Sequence, residues 1–113
     1  MIRYTTPTIP LVVEGKDLTD NLDVYVTLEQ EVNRVELTKC GTDLILTTTT
    51  HDEVTDTNVS FTLTQEETAR FNLRASVSVQ VNWIDASGVR GATEIKTIPV
   101  MRNLLDKVIE YGN

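Results

Sequence analysis

Apolar and polar residues alternate with a period of two along much of this chain, the pattern of strands that bury one face. Leu22, Val24, Val26 and Leu28 fall on one side of such a run, with Asp23, Tyr25, Thr27 and Glu29 on the other. The longest alternation is Val77, Val79, Val81 and Trp83 against Ser76, Ser78, Gln80 and Asn82, and it predicts the central core strand. Val59, Phe61 and Leu63 predict a further strand. Val35 and Leu37 predict another, which Gly41 breaks before Leu44-Ile45-Leu46-Thr47-Thr48 begins the next. Ile9 to Val13 reads as a short strand after an extended segment over residues 1–8, and Pro10 confines it to a sheet edge. Gly15-Lys16-Asp17 turns the chain. Residues 49–57 are polar and acidic without a period, which predicts a surface loop.

Two stretches break the strand pattern. Thr64-Gln65-Glu66-Glu67 has the form of a capping box, with a hydroxyl placed to accept the N–H three residues on and Glu67 placed to reach back, so a helix is expected over residues 65–71. Asp85-Ala86-Ser87-Gly88 supplies turn chemistry for a hairpin whose returning partner is residues 92–100. In the C-terminal segment, residues 103–113, Leu104, Leu105, Val108 and Ile109 sit at helical spacing, while the Val and Ile equally suit a strand.

The expected fold class is all-β: an antiparallel immunoglobulin-like β-sandwich of about seven strands with one short helix, or a closed barrel as the alternative. Composition agrees, since 18 Thr, 14 Val and 7 Ile make 39 of 113 residues β-branched. The length fits a single domain over residues 1–113. The formal net charge of −7 argues against a phosphate backbone or an anionic membrane as partner. No run approaches the ~20 apolar residues of a membrane-spanning helix, and the start has no basic region followed by an apolar stretch. Cys40 is the single cysteine, so an intrachain disulfide is excluded. These features fit a protein made and kept in a reducing cytoplasm.

Candidate chemistry is sparse. His51 is the one histidine, flanked by Thr50 and Asp52, and no strained Gly-x-Ser-x-Gly elbow accompanies it, so a solvated position is preferred over a catalytic base. Cys40 has only Lys39 as a neighbouring cation, too little to make a reactive thiolate. Asp17, Asp20 and Asp23, and separately Asp52, Glu53 and Asp56, could offer oxygen ligands to calcium, but neither set matches an EF-hand, and solvated acidic loops are preferred. The five glycines are scattered, with no phosphate-cradling loop. Tyr4, Tyr25, Phe61, Phe71 and Trp83 could build a sugar-binding platform, but Phe61 and Trp83 lie in the apolar registers of their strands, which favours core packing. No catalytic residue, cofactor or metal site is assigned.

Phe61-Thr62-Leu63-Thr64-Gln65-Glu66-Glu67-Thr68 followed by Val77-Ser78-Val79-Gln80-Val81-Asn82-Trp83 resembles a group of small phage and prophage proteins encoded among virion structural genes. Their pattern is a strand ending in glutamine, an acidic loop, a strand ending in Leu-Thr-Gln-Glu-Glu-Thr, a Val-x-Val-Gln-Val strand, a glycine turn and a Leu-rich tail with Val-Ile. Here the first element matches Val24 to Gln30, the tail matches Leu104 to Ile109, and the match covers about residues 22–110. Gly88-Val89-Arg90-Gly91 departs from the pattern by a second glycine. The resemblance implies an immunoglobulin-like tail or baseplate component that works by assembly or attachment, carried in the virion. It implies no catalytic residue. The expected partners are a second copy or other particle proteins, and Leu104, Leu105, Val108 and Ile109 are the interface candidates, because chain ends are usually polar. A carbohydrate-binding β-sandwich module is the alternative.

Overall fold

The computed structural model describes residues 1–20 and 23–110. Leu22 and the last three residues of the C-terminal segment therefore lie outside the described part. Two antiparallel sheets carry the fold. In the smaller one, β1 (Thr8–Val13) and β4 (Ile45–His51) flank β5 (Val54–Thr62), in the order β1-β5-β4. In the larger, β3 (Val35–Cys40), β2 (Asp23–Gln30), β6 (Val77–Ile84) and β7 (Arg90–Ala92) lie side by side, and β8 (Lys96–Ile98) pairs with β6 beyond β7. One helix, α1 (Gln65–Ala69), follows β5.

Period-two burial explains why both sheets form. Ile9 and Val13 of β1, Val59 and Phe61 of β5, Val24, Val26 and Leu28 of β2, and Val77, Val79 and Val81 of β6 are all buried in one core cluster. Both sheets thus turn an apolar face to a common core, and no ladder joins them among the described residues. The all-β, antiparallel architecture with one short helix is as the sequence predicts, and Pro10 does sit on an edge strand. The strand order has its own character. In an immunoglobulin constant domain the second strand lies between the first and the fifth, whereas here β2 lies between β3 and β6, and β1 pairs directly with β5.

Four sequence expectations change. Residues 49–57 are a hairpin, not a loop: β4 runs to His51, β5 starts at Val54, and Asp52 and Glu53 turn the chain with φ of 48° and 64°. Two consecutive positive φ values make the tight turn that matches strand twist. Its strands show no apolar period because most of their tip residues are exposed. The return strand expected over residues 92–100 starts earlier and is interrupted. Between β7 and β8, Thr93 donates its N–H to the Val81 carbonyl (2.9 Å) and accepts the Val81 N–H on its hydroxyl (3.1 Å). Trp83 faces the core but is only half-buried, because it lies near the end of β6 and its indole covers Gly91 of β7. The described part of the C-terminal segment, residues 103–110, adopts neither helix nor strand after an isolated bridge between Met101 and Ile2.

Three buried polar side chains fasten irregular segments to this frame. Gln30, at the end of β2, donates from Nε2 to the Asn72 and Ala75 carbonyls (2.9 and 2.7 Å) and accepts the Asn72 N–H on Oε1 (2.8 Å). Thr57 donates to the Lys16 carbonyl (2.7 Å) and accepts the Leu18 N–H (2.8 Å). Thr68 of α1 accepts the Thr5 N–H (3.2 Å).

Candidate interaction surface

The chain ends form a clasp beside α1. The Met101 N–H donates to the Met1 carbonyl (2.7 Å), and the Arg3 N–H donates to the Met101 carbonyl (3.1 Å). Arg3 spreads its guanidinium between the Ala69 carbonyl (2.8 Å) and the Asp106 carboxylate (3.2 Å). Asn103 Nδ2 donates to the Arg3 carbonyl (3.0 Å), and the Gln65 amide exchanges two hydrogen bonds with the backbone of Ile109 (3.0 and 2.8 Å).

These contacts are polar and, apart from the Arg3–Asp106 ion pair, each uses a backbone group, so they hold the segment without burying its aliphatic side chains. Leu104 is 87% exposed, Leu105 and Ile109 are exposed, and Val108 is half-buried. Ile2 and Met101, joined by their bridge, are exposed as well. Of the interface candidates, three therefore project into solvent from an anchored backbone.

The helix that receives this clasp is itself pinned. Thr64 Oγ1 accepts the Glu67 N–H and Glu67 Oε1 accepts the Thr64 N–H, completing the capping box read from the sequence. Glu67 also binds Lys39 Nζ of β3 through both carboxylate oxygens (2.9 and 2.7 Å), an ion pair between α1 and the larger sheet. Burial pushes the Glu67 carboxyl up. Hydrogen bonds from the Lys39 ammonium and the Thr64 N–H outweigh it and hold the group below its ordinary value.

The second candidate surface is the outer face of the larger sheet, which carries two depressions. One of about 630 Å³ is lined by residues that include Glu29, Glu31, Val32, Ser78, Gln80 and Ile95. The other, of about 330 Å³, is lined by Tyr25, Thr27, Thr38, Asn82, Trp83, Ile84 and Arg90. Tyr25 is the exposed aromatic of this second depression. Tyr4 does not line it and instead stacks under the Arg3 guanidinium, 5.1 Å from ring centroid to Cζ. Phe61 and Phe71 are buried. The paired platform that a sugar ring needs is thus not assembled from Tyr4 and Tyr25.

The residues weighed for chemistry lie apart. His51 Nε2 meets Asp56 Oδ2 (3.1 Å) near the hairpin turn, where Asp56 Oδ1 also accepts the Gly15 N–H (2.8 Å). The Gly15 N–H, and then His51, lower the Asp56 carboxyl. The adjacent hydroxyls of Thr50 and Thr55 bond each other (3.0 Å), and Cys40 lies exposed at the far end of β3. Asp17 accepts the side-chain and backbone donors of Thr19, which lower its carboxyl. Asp52 and Glu53 form the hairpin turn. No three acidic, His or Cys side chains converge as a cation site among the described residues.

Sequence reasoning missed Arg3, Asn103 and Gln65 as the groups that hold the terminal strip. Their signal is long-range and polar, and no periodicity reports it. Comparison with known proteins finds no matching family model, no matching curated protein and no matching solved structure.

Proposed function

We propose that this chain is a non-enzymatic structural protein of a phage-type particle, of tail or baseplate kind, and that it acts through protein–protein contacts. One observation carries the reading: Leu104, Leu105 and Ile109 stand exposed on a backbone that Arg3, Asn103 and Gln65 hold in place. Apolar side chains held outward in a fixed array make a surface suited to protein contact, where loose terminal residues would not. The order of motifs from Val24-Tyr25-Val26 through Leu-Thr-Gln-Glu-Glu-Thr to Val108-Ile109 supports the particle context.

The test is Leu104→Ser with Leu105→Ser, which leaves the polar clasp untouched. The double variant should keep the circular dichroism spectrum and melting temperature of the parent while losing incorporation into particles on complementation of a deletion. Normal incorporation by the variant would refute the strip as the contact. Flanking genes without head or tail components would refute the particle context.

A further inference from the structure

Each sheet edge is a row of backbone donors and acceptors that could template another strand. Three of the four edges carry a feature that blunts them. β1 contains Pro10, β3 carries Glu36 and Lys39, and the β7–β8 edge is interrupted at residues 93–95. The outer edge of β4 carries none of these. Its sequence, Ile-Leu-Thr-Thr-Thr-Thr-His, has no proline and no acidic or lysine side chain, Ile45 is 65% exposed, and β5 is its single strand partner among the described residues.

We propose that the free edge of β4 pairs antiparallel with β4 of a second copy, joining the two smaller sheets into one of six strands. This goes beyond the reading of the terminal strip and does not depend on it. Charge selects both the partner and the register. A chain of net charge −7 repels its own copy, so two copies are best brought together along a strand that bears no acid. In an antiparallel pair centred on Thr47, Ile45 faces Thr49 and Leu46 faces Thr48. Just past the strand, Asp43 faces His51, twice by symmetry. Centring on Thr48 instead sets Asp43 opposite Glu53 and Leu44 opposite Asp52, which stacks acids at both ends. Threonine pairs of the kind created at the centre already occur in this sheet, between Thr8 and Thr62 (3.2 Å) and between Thr50 and Thr55 (3.0 Å).

Sedimentation of the full chain tests the proposal, with two variants. Thr47 is exposed, so Thr47→Lys leaves the monomer fold intact by circular dichroism and sets like charges opposite each other at the dyad. Self-association should weaken roughly tenfold or more. In a Cys40→Ser background, Thr47→Cys should cross-link to a covalent dimer on mild oxidation, and Thr8→Cys, on the far edge of the same sheet, should not. Leu104→Ser with Leu105→Ser should leave this dimer unchanged. A parent that sediments as a monomer at its highest soluble concentration overturns the proposal. So does a Thr47→Lys protein that dimerises like the parent, or a dimer that dissolves on changing the terminal leucines alone.

Discussion

Gly91 owes its place to the absence of a side chain. A Cβ there would lie 2.4 Å from two atoms of the Trp83 ring, closer than side chains can approach. Gly91→Ala should therefore displace the indole, destabilise the fold by about 1–3 kcal/mol as an overpacking change, and move the Trp83 emission to the red. An unchanged spectrum would show that the ring has room to spare. The buried amide of Gln30 offers the opposite experiment, a removal. Gln30→Met keeps the volume but strands the Asn72 N–H and two carbonyls, so urea denaturation should report a loss of about 2–4 kcal/mol. The sequence carries the apolar positions of β2 and β6 openly, because period two is a local signal. Nothing local marks Gln30, Thr57 or Thr68 as buried, since each is explained by a partner some 39 to 63 residues away.

Among the elements, α1 shows how a five-residue helix persists. Isolated helices so short do not hold in water, and this one is kept by its capping box and by the Glu67–Lys39 ion pair to β3. Because the folded Glu67 carboxyl titrates below its ordinary value of 4.5, it stabilises the protein fully above that pH. The contribution is lost as pH falls through the lowered folded value. Glu67→Gln should therefore flatten the acid side of the stability profile below about pH 4.5, measured by urea midpoints. A variant whose acid slope matches the parent would show that the pair contributes nothing to it. The capping box was legible because its residues are three apart. The hairpin of β4 and β5 was not, since its turn uses Asp52-Glu53, where glycine or asparagine usually marks a tight turn with positive φ, and the four threonines of β4 are exposed on both faces of the strand.

For the molecule as a whole, the two sheets share one core, and the ends of the chain are bound to each other and to α1. Arg3 is the hub of that binding, so Arg3→Ala should speed hydrogen exchange at the Met101 and Ile109 amides while exchange at Val26 and Val79 in the core strands stays as in the parent. Uniformly faster exchange would mean that the ends and the core open as one unit. The aliphatic terminal residues were legible as a group, but their lack of regular structure was not, because helical spacing and strand propensity pointed different ways. The clasp also fixes an order of events. Residues 1–3 are made about a hundred residues before their partners at residues 101–106, and closing so long a loop is slow compared with forming adjacent strand pairs. The outward array of leucines is therefore set only on a chain translated that far, and an incomplete translation product would lack it.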